Sequence, residues 1–273
     1  MQDLPAEWRN WIDENVARGC SRESMLAMLL GGGFTADVAE PALAEAFGRK
    51  PVPRPGVVID GSHCLVCNEH TVRLAVVLSN PRVLVFDNLL TAQECDALVA
   101  LAEARMEPST VIDDQNGAAV PHADRTSAGA SFQRGEFELL ATLEARIATL
   151  LNWPAENGEG LQVLRYAPGS EYKAHFDYFD PDKPGSAEHL AQGGQRVGTL
   201  IIYLCDVEAG GSTRFPSLGL EVRPRQGSAV FFADVDATGD VDPRTLHAGT
   251  PVISGVKVIA TKWLRERPYG STG

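Results

Sequence analysis

The 273-residue sequence is short of basic residues, of cysteine and of long apolar runs. Its 24 Lys and Arg against 36 Asp and Glu give a formal net charge of −12, which argues against a general nucleic-acid-binding protein. Five cysteines are few for a chain of this length, and an odd number cannot all form pairs within it. Both facts argue against a disulfide scaffold. They favour a reducing compartment, so we expect a cytoplasmic protein. No apolar stretch is long enough to span a bilayer, and no signal peptide is visible, so we expect no membrane association.

The first 48 residues carry apolar side chains at helical spacing, interrupted by glycine. Residues 8–16 predict one helix, and Ser21 and Thr35 are the expected N-caps of two more. The pattern therefore predicts a small helical module over residues 1–48. It resembles the ubiquitin-associated-like bundles that bind partner proteins, which would make it a protein-binding module. A helical extension packed on the main domain is the alternative.

Residues 49–80 predict a connection with two parts. Residues 49–56 contain three prolines, which favours an extended, semi-rigid linker. Residues 57–80 predict a hairpin-like segment that includes His63, Cys64, Cys67 and His70. Two cysteines and two histidines at this spacing could bind zinc, although no second cysteine pair lies nearby. The alternative is a hairpin with two free thiols.

Residues 81–268 predict one larger domain of the α+β class. Thr91 is the expected cap of a first helix, and residues 137–153 predict a second. From residue 161 the apolar period changes to two, with turn residues about every ten positions. The predicted strands cover residues 161–166, 172–178, 196–205, 211–215, 220–223, 228–233, 244–247 and 256–265. Many short strands after long helices indicate a jelly-roll barrel with flanking helices, and the polar residues 180–194 predict a mobile loop at its mouth.

His175, Asp177 and His247 form the candidate metal site. His175 and Asp177 are two residues apart, which places both side chains on one face of an extended strand. A later strand that carries His247 can converge on the same end of the barrel. Two histidines and one carboxylate on one face form the facial triad of non-haem Fe(II) oxygenases, which leaves positions open for a cosubstrate and oxygen.

Lys257 follows His247 by ten residues, and the glycines between them can turn the chain back. Such a return puts Lys257 beside His247, in the barrel or across it. An interior lysine is costly without a counter-charge. A dicarboxylate cosubstrate would supply that charge, with one end on the metal and the other on Lys257. Thr199, Tyr203 and Thr261 could share the same carboxylate.

Several motifs together resemble the prolyl 4-hydroxylases of the Fe(II)- and 2-oxoglutarate-dependent dioxygenase superfamily. The matching pieces stand in the family's order: Arg125-Thr-Ser127, Tyr166-Ala-Pro-Gly-Ser-Glu-Tyr-Lys-Ala-His175-Phe-Asp177-Tyr-Phe, Gly-Gly-Gln-Arg196-Val, Tyr203-Leu-Cys-Asp-Val-Glu-Ala-Gly-Gly-Ser-Thr-Arg-Phe-Pro216, Gly227-Ser-Ala-Val-Phe-Phe, Leu-His247-Ala-Gly-Thr-Pro-Val and Gly255-Val-Lys257-Val-Ile-Ala-Thr261-Lys-Trp263. The resemblance covers about two thirds of the chain. It implies a double-stranded β-helix with Fe(II) on His175, Asp177 and His247.

The resemblance also implies a reaction and further site residues. 2-Oxoglutarate would bind Lys257 through its distal carboxylate, Tyr166 would reach the cosubstrate or the iron-bound region, and ascorbate would stimulate turnover. O2 would be consumed, with succinate and CO2 as coproducts. The residues that would face the substrate are Arg125, Ser127, Tyr172, Arg196 and Trp263.

Three functions stay open on the sequence. The first is hydroxylation of prolyl residues in a peptide or protein, which a partner-binding N-terminal module favours. The second is hydroxylation of a free amino acid or another small molecule. The third is a binding protein on an inactive oxygenase scaffold, against which the intact triad and Lys257 both count.

Overall fold

A computed structural model of the chain describes residues 4–48, 52–58, 61–108, 110–112, 119–121 and 126–270. Its helices are α1 Ala6–Ala17, α2 Arg22–Gly31, α3 Ala36–Ala46, α4 Ala92–Glu103, α5 Glu138–Leu150 and α6 Ser186–Ala191. Its strands are β1 Cys64–Cys67, β2 His70–Ser79, β3 Arg82–Asp87, β4 Glu107–Pro108, β5 Thr110–Ile112, β6 Ala119–Pro121, β7 Ala128–Phe132, β8 Gly158–Tyr166, β9 Tyr172–His175, β10 Arg196–Tyr203, β11 Ala209–Gly210, β12 Thr213–Phe215, β13 Leu220–Val222, β14 Ala229–Phe232, β15 His247–Gly249, β16 Val252–Ser254 and β17 Lys257–Arg265. None of the helices in these described ranges is long and apolar enough to cross a membrane.

The first three helices surround an apolar core of their own. Ile12, Met25, Leu29 and Leu43 are buried against one another in it. Ser21 caps α2 as predicted, because its side chain accepts a hydrogen bond from the backbone N–H of Ser24 at 3.2 Å. The apolar spacing in residues 1–48 thus produces a helical bundle in which the apolar faces of the three helices are buried against one another.

Two antiparallel sheets form the main domain, as the period-two pattern predicts. A nine-stranded sheet has the order β1-β2-β3-β14-β10-β17-β8-β7-β4, and a four-stranded sheet has the order β13-β12-β15-β9. One core lies between the large sheet and helices α4 and α5. A second core lies between the two sheets and includes Tyr166, Tyr203, Phe215 and Phe232. The α+β class and the jelly-roll core with flanking helices are therefore confirmed.

The helices on the large sheet are fixed by polar contacts as well as by burial. Thr91 and Glu94 form a reciprocal capping box at the start of α4, which confirms the predicted cap. The carboxylate of Glu94 also accepts two hydrogen bonds from Arg146 of α5, at 2.7 and 3.1 Å. One acidic side chain therefore joins the beginning of α4 to the middle of α5.

Two predicted segments differ from the structure. Residues 244–247 are not a strand: Pro243–Thr245 is a 3-10 turn, and β15 begins at His247. Asp242 caps that turn by accepting from the N–H of Arg244, which a period-two pattern does not reveal. The predicted loop of residues 180–194 contains α6, and Arg265 donates to the carbonyls of His189 and Gln192 there.

The connection between the module and the barrel packs against the barrel. Gly56 donates its N–H to the carbonyl of Leu151 at 2.8 Å, and Pro55 is buried. A Cβ at Gly198 of β10 would lie 2.7 Å from the ring of Phe231 and 3.0 Å from Cγ of Pro55, so glycine makes room for both rings there. Residues 52–58 therefore follow the surface of the large sheet, and residues 49–51 of the predicted linker lie outside the described part.

A buried ion pair beneath the large sheet gives a first test of this packing. Nζ of Lys262 lies 2.5 Å from Oε1 of Glu144, and both side chains are at most 6% exposed. We expect Glu144→Ala to lower the free energy of unfolding by about 3–5 kcal/mol, since it leaves a buried ammonium without its partner. Urea unfolding measures this. Glu14→Ala, which removes an exposed pair with Arg18 on α1, should leave the stability nearly unchanged.

Candidate metal centre

The metal centre forms where two short strands of the four-stranded sheet meet. β9 ends at His175 and β15 begins at His247, and the register sets these residues directly opposite each other. Nε2 of His175 lies 3.6 Å from Oδ1 of Asp177, and Nε2 of His247 lies 3.7 Å from Oδ2. The three ligand atoms lie within 4.8 Å of one another. In the described part of the chain, no other three His, Cys, Asp or Glu side chains converge in this way.

Backbone carbonyls determine which nitrogen of each histidine carries the proton. Nδ1 of His175 lies 2.7 Å from the carbonyl oxygen of Lys173, and Nδ1 of His247 lies 3.1 Å from that of Thr245. A carbonyl oxygen can only accept, so each Nδ1 carries the proton and each Nε2 keeps its lone pair. Such contacts orient metal-binding histidines in proteins. The two Nε2 atoms and the carboxylate therefore fit Fe(II) as a facial set of three ligands.

The charge states of the ligands also suit a metal. Burial alone would raise the pKa of Asp177, but the neighbouring His247, His175 and Arg196 outweigh it and hold that pKa below its usual range. Burial lowers the pKa of His247, and Asp177 only partly offsets this. At neutral pH the site therefore has an ionised carboxylate and a neutral imidazole, the forms that bind a metal.

A cavity opens beside the three ligands. It encloses about 400 Å³ of empty space, counting the open solvent at its mouth. The sequence-predicted residues that line it are His175, Asp177, His247, Tyr166, Tyr172, Lys257, Thr261 and Trp263. The pairings β17–β8 and β17–β10 bring these side chains together from distant parts of the chain.

Lys257 lines this cavity with its charge uncompensated. The residue is 3% exposed, and its Nζ lies 5.4 Å from the centre of the Tyr166 ring. No residue in the described ranges hydrogen bonds or pairs with its ammonium group. Burial lowers the pKa of Lys257 to about 8. A buried cation without a partner fits an anionic ligand, so the cavity suits a carboxylate that reaches in from the metal.

The three other residues predicted to share this carboxylate lie in different places. Thr261 lines the cavity. Tyr203 lies behind it, since its hydroxyl donates to Oγ1 of Thr213 at 2.8 Å and Thr213 forms the wall. Thr199 does not line the cavity, because its hydroxyl donates to the buried Asp234 at 2.9 Å.

Arg196 and Trp263 form one stacked unit at the cavity. The guanidinium carbon of Arg196 lies 4.0 Å from the centre of the Trp263 ring. Its nitrogens donate to both oxygens of Glu159, at 2.7 and 2.9 Å, and to the backbone carbonyl of Asp177 at 3.1 Å. Trp263 lines the cavity, whereas Arg196 supports it from behind.

The remaining predicted substrate residues are distributed as follows. Tyr172 lines the cavity, and its ring stacks on His175 with centroids 3.5 Å apart. Ser127 is buried just before β7 and does not line the cavity. Arg125 lies outside the described residues. These assignments to substrate binding stay predictions.

Sequence reasoning missed two residues that shape the site. Thr213 forms part of the wall, and the period-two pattern of β12 places it on the same face as Phe215, which was an available signal. Glu159 bonds Arg196 and also lies 3.3 Å from Arg265, but no local pattern marks it. Its role depends on the pairing of β8 with β17, which the sequence does not display.

The segment that the cysteine and histidine spacing singled out is a β-hairpin. Cys64 is exposed and Cys67 is buried, so the two thiols lie on opposite faces of β1. His70 contacts the carbonyl of Asn88 through Nε2 at 2.6 Å. Over the described residues these side chains form no metal-binding cluster, and the alternative hairpin with free thiols describes what is observed.

Comparisons with known proteins agree with this site. Residues 161–265 match the 2OG-Fe(II) oxygenase superfamily. The chain is 38% identical over 208 residues to probable prolyl 4-hydroxylase 3 of Arabidopsis thaliana, an alignment that spans 69% of this chain and 71% of that protein. It is 39% identical over 211 residues to prolyl 4-hydroxylase 1 of the same plant, across 72% and 73% of the two chains.

Solved structures give the same result for the fold. The chain is similar to the crystal structure of a viral collagen prolyl hydroxylase from Paramecium Bursaria Chlorella virus-1 in complex with 2OG. The TM-score is 0.54 with 32% identity, and the similarity covers 67% of this chain and 95% of the viral one. A truncated form of the viral enzyme gives a TM-score of 0.51 with 29% identity, across 79% and 95% of the chains.

The geometry of the triad leads to a test of metal binding. We expect the protein to bind one Co(II) ion, used as a stable substitute for Fe(II), and His247→Ala to weaken binding more than about tenfold, because loss of even an outer contact costs about 10- to 100-fold. Isothermal titration calorimetry measures this. His70→Ala, which alters a histidine in the hairpin, is the matched control and should bind Co(II) like the unaltered protein. Equal affinity of the His247→Ala protein would contradict the site.

Proposed function

The chain belongs to the prolyl 4-hydroxylases of the 2OG-Fe(II) oxygenase superfamily, and from this premise we propose that it hydroxylates prolyl residues in a peptide or protein. The observation that carries the proposal is the pairing of a three-ligand site with a buried, unpartnered lysine in one cavity. The first provides for a metal and the second for the far end of a dicarboxylate. Neither would be needed in an inactive binding scaffold.

His175, Asp177 and His247 would hold the iron. When bound, Fe(II) together with 2-oxoglutarate and O2 supplies the oxidising chemistry that turns a target C–H into C–OH, with succinate and CO2 as coproducts. The contribution of the chain is to keep both histidines in the Nδ1–H tautomer and Asp177 ionised. The hydrogen bonds from the two rings to backbone carbonyls fix the ring orientation before any metal arrives.

Lys257 would bind the distal carboxylate of 2-oxoglutarate, and Thr261 and Tyr166 lie along the same wall. Its ammonium group needs a counter-charge that no described residue provides. Leu164, Ile201 and Ile259 line the same cavity and give part of its wall an apolar surface. The carbon chain of the cosubstrate suits such a lining.

Tyr172 and Trp263 would meet the substrate at the triad end of the cavity. Their aromatic faces suit a proline ring, and an extended polyproline-like segment binds at little cost in ordering entropy. The similarity to a plant prolyl 4-hydroxylase and to a viral collagen prolyl hydroxylase supports a proline-containing chain over a free amino acid. Arg196 would act by holding Trp263 through their stacked contact.

A turnover assay tests the proposal directly. The purified protein with Fe(II), 2-oxoglutarate and air should form succinate, and a proline-containing peptide should accelerate this and gain one oxygen atom by mass spectrometry. His247→Ala is the control. Succinate that small molecules but no peptide accelerate would redirect the assignment to the small-molecule alternative. No succinate above the His247→Ala level would contradict an oxygenase.

The lowered pKa of Lys257 predicts a pH dependence of cosubstrate binding. Below pH 8 the amine is protonated and attracts the carboxylate, whereas above its pKa of about 8 binding must first take up a proton. We therefore expect the Kd for 2-oxoglutarate to be flat below about pH 7.5 and to rise towards tenfold per pH unit above pH 8. Titration calorimetry with Co(II)-loaded protein measures this.

Lys257→Arg provides the matched comparison. A guanidinium stays charged over the whole range, so this variant should bind more weakly but without the rise above pH 8. The same rise in both proteins would assign the pH dependence to another group.

A further inference from the structure

Charged side chains join the N-terminal helical module, residues 4–48, to the oxygenase domain. Nη1 of Arg22, the first residue of α2, lies 3.1 Å from Oδ2 of Asp236. Nη2 of Arg54 donates to Oε2 of Glu40 in α3 at 2.9 Å. These pairs are substantially shielded from water: Arg22 and Asp236 are 24% and 14% exposed, and Glu40 is 2% exposed. Pairs so shielded are screened less by salt than surface pairs are.

The Arg22 pair meets the oxygenase domain at residues 233–246, the segment that connects β14 to β15. Asp236 lies in this segment, and the carbonyl of Ala237 accepts from the N–H of Val52 at 3.0 Å. A further cation, Arg82 of β3, pairs with Asp37 of α3. The carbonyl of Arg82 accepts from Ala233 at 3.0 Å, at the start of the same segment. The module therefore meets this connection through the side chain of Arg22, and the linker meets it through the backbone of Val52.

Asp236 is also the internal anchor of the segment. Its Oδ1 accepts from the N–H of Thr238 at 2.8 Å and from that of Asp240 at 3.2 Å. Its backbone N–H donates to the carbonyl of Asp240 at 2.8 Å. The carboxylate of Asp236 therefore contacts the turn through Oδ1 and the module, at Arg22, through Oδ2.

The segment ends at the third metal ligand. The N–H of Asp242 donates to the carbonyl of Asp234 at 2.9 Å, and the hydroxyl of Thr245 donates to the carbonyl of Asp242 at 2.7 Å. The carbonyl of Thr245 accepts from Nδ1 of His247 at 3.1 Å. Hydrogen bonds therefore occur along the whole segment, from the turn at Asp236, past the bridge between Val235 and Val241, to the ring of His247.

From these contacts we propose that the Arg22–Asp236 pair makes the N-terminal module a positioning element for His247, and that Arg22 is a positioning residue of the metal site. The module then does more than offer a surface to a partner: it sets the affinity of the catalytic domain for its metal. This inference rests on the proposed iron site. It assigns to the module an effect on the reaction that persists with short peptides, which do not need recruitment.

Metal affinity and the geometry of the bound metal test the proposal. We expect Arg22→Ala in the full chain to weaken Co(II) binding about fivefold, less than the roughly 10- to 100-fold typical of a direct outer contact, and to change the visible Co(II) absorption band. If the pair served only to stabilise the fold, its loss would lower the melting temperature but would not change that absorption band. Arg22→Lys keeps one donor and should restore both affinity and spectrum. Asp236→Asn, which keeps a turn-holding oxygen but loses the charge, should behave like Arg22→Ala.

Arg18→Ala is the matched control, because Arg18 pairs with Glu14 within the module and both are exposed. It should bind Co(II) as the unaltered protein does. Unchanged affinity and spectrum in the Arg22→Ala and Asp236→Asn proteins, with both lost in His247→Ala, would overturn the coupling and leave the metal site standing. Co(II) binding that is unaffected even by His247→Ala would overturn the site itself and the coupling with it.

Discussion

The pairing of β9 with β15 is the constraint on which the rest of the site depends. It sets His175 opposite His247, with ring centroids 4.3 Å apart, and Asp177 follows where β9 ends. A slip of one residue in this short pair would turn His247 to the other face of its strand and remove one ligand. The aromatic core between the sheets opposes such a slip, because Phe232 and Phe215 pack on the His247 ring at 4.6 and 5.8 Å. Core packing and metal binding therefore depend on the same register.

Much of this arrangement was predictable because it depends on residues that are close together in the sequence. The caps at Ser21 and Thr91, the change of period after residue 160 and the His-x-Asp pair each depend on residues within a few positions of one another. The 3-10 turn before His247 was predicted wrongly as strand, since Asp242 and Pro243 control the backbone more strongly than apolar alternation does.

Other features depend on contacts between distant parts of the chain. Glu159 meets Arg196 across 37 positions, and Thr199 meets Asp234 across 35. Thr199 has the strand position expected of a cavity residue, yet its hydroxyl is used by a buried carboxylate. The alternation of residues in one sequence predicts which face of a strand a side chain lies on. It does not predict which residue from a distant part of the chain contacts that side chain. For that reason the candidate metal ligands were easier to identify from the sequence than the residues that would share the cosubstrate carboxylate.

The buried lysines and arginines of this fold differ in whether a carboxylate lies beside them. Arg82, Arg146, Lys262 and Arg265 are all buried, and each has a carboxylate beside it: Asp37, Glu94, Glu144 and Glu159 respectively. Of the buried lysines and arginines in the described ranges, Lys257 alone has none.

The fall in the pKa of Lys257 from 10.5 to about 8 corresponds to about 3 kcal/mol. At pH 7 this cost to folding is fully present, since the amine is then protonated in both the folded and the unfolded chain. A fold that pairs its other buried cations could have paired or removed this one as well. We propose that the cost is instead recovered when a carboxylate enters the cavity, which would make the uncompensated charge a feature of the binding site and not of the scaffold.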